Sequence, residues 1–246
     1  MDRFKYSTIS HRDLRYCNPF SSAKVESIIE LLDLLPGDHI LDIGTGKAEL
    51  PIRLIERFQV EALGIDLSSP FLQEAREQIA LRIPQSTFTI LEEDAKTYQG
   101  ERESFNLASC LGACDIFGGF EKTLQRLAAL VRPGGYILLG DGYWKQEPLA
   151  AYLEAFQGSR SEMSTHAENV AAGVAAGLIP LYATVCNDDE WDRYEWLHLR
   201  NIELYAREKP DDPDVPALLE RIRAWRDIYL KWGRDTMGFG LYLFQK

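Results

Sequence analysis

The chain is poor in cysteine, in basic charge and in long apolar runs, and each shortage removes a class of protein. Its four cysteines, Cys17, Cys110, Cys114 and Cys186, form no CxxC pair and no disulfide framework, so a reducing, cytoplasmic setting is expected. Lys and Arg number 27 against 38 Asp and Glu, and the net charge of -11 with no basic stripe argues against nucleic acid as substrate. No apolar run reaches the roughly 18 residues a membrane span needs, and no basic leader with an apolar stretch opens the sequence, so neither secretion nor membrane spanning is expected. His, Cys, Asp and Glu never cluster at metal-ligand spacing, and no metal is expected. Repeats and low-complexity segments are missing as well.

What is present is the composition of a globular protein, 46% hydrophobic and 26% charged over 246 residues, long enough for one large domain spanning 1–246. Helical apolar spacing over 21–35 stops at Pro36-Gly37, ahead of a short apolar run at 39–43. The alternation then repeats: helices at 48–58, 70–82 and 120–131, and strands at 61–65, 87–91, 105–110 and 136–139, the last after Arg132-Pro133-Gly134-Gly135. Strands alternating with helices predict an α/β fold whose parallel sheet is covered on both faces. Beyond 145 the rhythm changes to helices at 149–156, 164–176, 188–207 and 215–232, with strands at 181–186 and 238–244.

The stretch Leu41-Asp42-Ile43-Gly44-Thr45-Gly46-Lys47-Ala48-Glu49 joins a predicted strand to a predicted helix through a glycine turn. Glycine lets backbone approach a ligand and take positive φ, while a helix start presents free N–H groups, although a plain tight turn would look the same. Three acids accompany it. Asp66 ends the next strand 22 positions after Gly44, where a carboxylate can accept two ribose hydroxyls; Asp42 lies at the end of the first strand; Asp94 follows the third. Any one of them alone reads more often as a helix cap or loop acid. A dinucleotide fingerprint would need glycine where Glu49 stands, and the P-loop spacing is absent.

The acid-x-Gly-x-Gly turn, the acid after the second strand, Asp94-Ala95 after the third and Arg-Pro-Gly-Gly before the fifth resemble the class I S-adenosylmethionine-dependent methyltransferases over residues 21–140. The resemblance implies a Rossmann-like, mostly parallel seven-stranded sheet with an antiparallel last strand. It divides the chain into a core over 21–145, helical cap insertions at 147–176 and 188–232, and a final strand at 238–244. It implies S-adenosylmethionine as cofactor and S-adenosylhomocysteine as product. By position, Asp42, Gly44 and Gly46 would meet the methionine end, Asp66 the ribose, Leu67 and Ala95 the surroundings of the adenine and Asp94 its amino group, with backbone at Cys110-Leu111. Ala48 departs from a third glycine common in the family, and Asn106 from an Asp that often begins the fourth strand. Asn18-Pro19-Phe20, the stretch Asp141-Gly142-Tyr143-Trp144 and the segment from Trp191 to Glu195 resemble a narrower bacterial branch acting on small molecules.

Methyl transfer from a sulfonium is an in-line displacement that needs alignment and exclusion of water, with a base only where the acceptor sheds a proton. Asp141, Tyr143, Tyr194 and His11 are the candidate catalytic groups, and Trp144, Trp191 and Asn18 the candidate acceptor contacts. Trp191 and Tyr194 share a helix face and could equally be core; His166 and His198 are expected on helix surfaces. The cap is expected to fold over the cofactor edge of the sheet. Two other readings stay open: an aminopropyl transferase using the decarboxylated cofactor, and a binding module without catalysis.

Overall fold

The computed structural model describes residues 4–246. Seven strands form one sheet in the order β3-β2-β1-β4-β5-β7-β6. They are β1 (His39–Ile43), β2 (Glu61–Asp66), β3 (Phe88–Glu92), β4 (Phe105–Leu111), β5 (Val131–Trp144), β6 (Ile179–Val185) and β7 (Met237–Gln245). Pairs from β3 through β5 are parallel, and β7 runs antiparallel to both its neighbours. The near-continuous apolar runs of β1 and β4 follow from this arrangement, because a central parallel strand is covered on both faces and has no solvent side to alternate toward.

Helices α2 (Ser22–Ile29) and α3 (Glu49–Phe58) cover one face, burying Val25, Ile28, Ile52 and Leu54. The other face carries α5 (Phe120–Leu130) and α7 (His166–Ala175), with Leu124, Leu127 and Phe244 in the core between. A further helix, α4 (Ser69–Arg82), joins β2 to β3, and α6 (Ala150–Phe156) follows β5. Beyond the sheet, α1 (Lys5–Ser10), α8 (Asp188–Glu208) and α9 (Val215–Ile228) pack on one another through Ile9, Ile202, Leu218 and Ile222. Local sequence sets the ends of these helices. Thr165 and Glu168 cap α7 reciprocally, as Asn187 and Glu190 cap α8, whose first turn is acidic at the positive end of its dipole. None of the described helices is long and apolar enough to cross a membrane.

Several elements depart from the sequence expectation, among them α2, which ends at Ile29 rather than at residue 35. Strand β5 runs on to Trp144 because β7 pairs with it from Tyr136 to Trp144, carrying it through the Gly140-Asp141-Gly142 break in its apolar pattern. The 147–176 stretch does not fold over the carboxyl ends of the central strands: α7 covers the sheet beside α5, and α6 packs Tyr152 and Phe156 around Trp144.

The contact between α7 and β7 requires glycine at 173, since a Cβ there would lie 2.1 Å from Cε1 of Phe244, a ring only 1% exposed. Alanine gains about 1 kcal/mol of helix propensity, whereas overpacking a locked ring costs about 1–3 kcal/mol, so the clash wins. Gly173→Ala is expected to lower the urea unfolding midpoint, and an unchanged or raised midpoint would refute this packing.

Candidate functional site

The sheet reverses its winding direction between β1 and β4, which leaves a crevice at their carboxyl ends. The turn after β1 enters it with Gly44, Gly46 and Ala48 all left-handed, at φ +67°, +52° and +59°. Ala48 holds this conformation with a side chain, at a cost of about 1–2 kcal/mol, and is fully buried, its N–H bonded to Thr45 O at 2.8 Å. Gly44 and Thr45 both donate to Ile65 O, at 2.8 and 3.1 Å. Asp66 completes the tie: its Oδ2 accepts the Gly46 N–H and its Oδ1 the Ser68 N–H, each at 2.8 Å.

Gly44, Gly46, Asp66, Leu67, Asp94, Ala95 and Leu111 line one cavity of about 450 Å³. Asp94 Oδ1 accepts the Lys96 N–H at 3.0 Å, a turn contact that leaves its other oxygen uncommitted among the described residues. Asp42 lines a small adjoining pocket that shares Gly44, Gly46 and Leu111. Burial pushes the Asp42 carboxyl up to about 6, against the pull of the Ser109 hydroxyl, which donates at 2.6 Å. Cys110 is fully buried in the core and lines neither space.

Of the candidate catalytic groups, His11 and Tyr194 line the 450 Å³ cavity and bond to each other, Nε2 to hydroxyl, at 3.1 Å. Ser7 O lies 2.7 Å from His11 Nδ1, so that nitrogen carries the proton and Nε2 accepts from Tyr194. Burial lowers His11 to about 4 and raises Tyr194 well above its ordinary value, which keeps both neutral. Asp141 and Tyr143 stand apart from this cavity. Asp141 accepts the Gly142 N–H at 2.8 Å and is pushed up to about 6 by burial, while Tyr143 packs beside His166.

Two of the three candidate acceptor contacts lie in the core. Trp144 is 1% exposed and gives its indole N–H to Arg160 O at 3.0 Å, and Trp191 lies in the core. Asn18 stays at the site, its amide donating to Leu111 O at 3.1 Å. His166 is half-buried, 3.1 Å from the Tyr242 hydroxyl. His198, expected on a helix surface, is buried between His11 and Tyr194, with ring centroids 4.3 and 4.0 Å away, because α1 covers that face of α8.

Phe4, Ser7 and Cys17 complete the cavity from the N-terminal segment, Phe71 from the first turn of α4 and Ile116 from a 3-10 turn after β4. Sequence reasoning missed them because a six-residue helix such as α1 is too short to show a periodic pattern. Phe71 had a usable signal, its place in the first turn of the helix after Asp66.

A family model described as a methyltransferase domain matches residues 40–135. The uncharacterized protein YjhP of Escherichia coli is 29% identical over 98% of both chains, and its crystal structure superposes with a TM-score of 0.90. Crystal structures described as S-adenosylmethionine-dependent methyltransferases in complex with S-adenosylhomocysteine are equally similar. The one from Geobacter sulfurreducens has 26% identity, coverage of 98% and 97% of the two chains and a TM-score of 0.90; the one from Thiobacillus denitrificans has 25%, 100% and 98%, and 0.88.

Burial pushes His198 down to about 2, so it binds a proton only once the chain unfolds. A depressed folded value means stability that is complete above the unfolded pKa of about 6.5 and lost as pH falls below it. Relative to His198→Gln, the native chain should lose about 2 kcal/mol of stability between pH 7 and pH 5. Denaturant titrations of both proteins at the two pH values check this, and a constant difference would contradict the buried neutral state.

Proposed function

The chain belongs to the class I S-adenosylmethionine-dependent methyltransferases, and from that premise we propose that it binds S-adenosylmethionine in the 450 Å³ cavity and methylates a small molecule there. The observation that carries this reading is the meeting of the glycine turn with Asp66 and Asp94 on one cavity wall.

The residues fit the cofactor. Each Asp66 oxygen accepts one backbone N–H, and a carboxylate offers about four acceptor sites, so capacity for two ribose hydroxyls is left. A Cβ built on Gly46 would meet only Gly44 O, at 3.9 Å, so bare backbone is open to a ligand. Asp42 would serve the methionine end, Asp94 the adenine amino group, Leu67 and Ala95 the adenine faces, and Leu111 would contribute backbone.

Once bound, the cofactor supplies a sulfonium methyl group open to in-line displacement. Tyr194 and His11 act on the acceptor. The Tyr194 hydroxyl can take the acceptor's proton while handing its own to His11 Nε2, and Ser7 O holds His11 in the tautomer that allows it. Since burial weakens His11 as a base, the pair orients the nucleophile more than it ionises it.

Asp66→Ala is expected to weaken S-adenosylmethionine binding by about 1.5–3 kcal/mol, the worth of hydrogen bonds to a charged group. Titration calorimetry on both proteins checks this, and equal affinities would remove Asp66 from the ribose site. Tyr194→Phe should lower transfer of labelled methyl into a metabolite extract by about tenfold or more. Full transfer by the variant would end the case for the relay.

A further inference from the structure

A second cavity of about 310 Å³ lies between the N-terminal segment and the start of α8. It shares Tyr194 with the larger cavity, and Asn18 with the small pocket that holds Asp42 and Gly46. Four charged side chains line it: Asp13, Arg15, Glu190 and Arg193.

The acids are already neutralised from outside the cavity. Glu190 pairs with Lys24 and accepts the N–H groups of Ser21 and Asn187, at 3.1 and 2.9 Å. Asp13 pairs with Arg200 at 3.0 Å. The two cations are less engaged. Glu49 is the carboxylate near Arg15, at 3.9 Å, and it is engaged at 2.6 Å by both Arg53 and Arg82. Arg193 makes no ion pair or hydrogen bond among the described residues. The Arg193 guanidinium therefore stands unpaired among the described residues, and that of Arg15 holds only its long contact to Glu49, in a chain whose net charge is -11. Their planar forks match the two oxygens of a carboxylate or phosphate.

We infer that this cavity receives the methyl acceptor, that the acceptor carries an oxyanion, a carboxylate or a phosphate ester, and that Arg193 together with Arg15 holds that group. The nucleophilic atom then reaches the cofactor past Asn18 and Tyr194. This rests on the methyltransferase reading above, since the cavity gains its meaning from the neighbouring cofactor site.

The test uses the full chain saturated with S-adenosylhomocysteine and titrated at constant ionic strength with inorganic phosphate and, separately, with citrate. Saturable binding of one of them is expected, about tenfold weaker or more in Arg193→Gln and in Arg15→Gln, with S-adenosylhomocysteine affinity unchanged in Arg193→Gln. Arg193→Lys, which keeps the charge but not the fork, should fall between. Preference for phosphate would point to a phosphate ester and preference for citrate to a carboxylate. No saturable binding up to tens of millimolar, or binding that both variants retain, overturns the inference while leaving the cofactor reading intact. Failure of S-adenosylhomocysteine itself to bind would overturn both.

Discussion

The Asp66 carboxylate holds the site together by accepting one backbone N–H from each of two turns, Gly46 after β1 and Ser68 after β2. Charge-assisted bonds of this kind are about twice as strong as neutral ones, and here they join turns that belong to different strands. Gly44 and Thr45 reinforce the tie through Ile65 O, one residue before Asp66. The same carboxylate thus fixes the turn that faces the ligand and keeps acceptor capacity for the ligand. Left-handed backbone at 44, 46 and 48 is tolerated because those bonds over-determine the turn.

Lys47 carries the turn's influence outward. Its ammonium is 8% exposed, pairs with Glu74 at 2.7 Å and donates to the carbonyls of His11 and Arg12, at 3.1 and 3.3 Å. A buried cation stripped of these partners would be costly, so the N-terminal segment is secured to the glycine turn by electrostatics as much as by packing. His11 is thereby brought to the cavity, and α1 closes over His198 on α8. His11 and Tyr194 face the cavity as neutral groups with the neutral His198 packed behind them, although the chain as a whole is strongly acidic.

The two ends of the site differ in how they are made. The cofactor end comes from consecutive strand ends of one sheet, where geometry follows from connectivity. The end we assign to the acceptor comes from residues 4–20 and the first turns of α8, more than 160 positions apart, and their meeting depends on how α1, α8 and α9 pack. Asp141 to Trp144 leave the central sheet at the end where the crevice opens, yet pairing with β7 carries them away from the cavity, and Trp144 packs against Tyr152 in the main core.

Sequence alone determined the alternation of strands and helices, the glycine turn and the acids beside it, because each depends on interactions spanning a few residues: apolar period, capping and positive φ. That is why α3, α4, α5, α8 and strands β1 to β4 lie within a residue or two of their expected bounds. It also identified the family through the same local motifs. Tertiary structure decided everything that depends on which distant surfaces meet. The burial of Trp144, Trp191 and His198, the pairing of His11 with Tyr194, and the unpaired Arg193 beside Arg15 have no local signature. A tryptophan in a core and one on a ligand wall occupy the same helical positions, and only packing separates them.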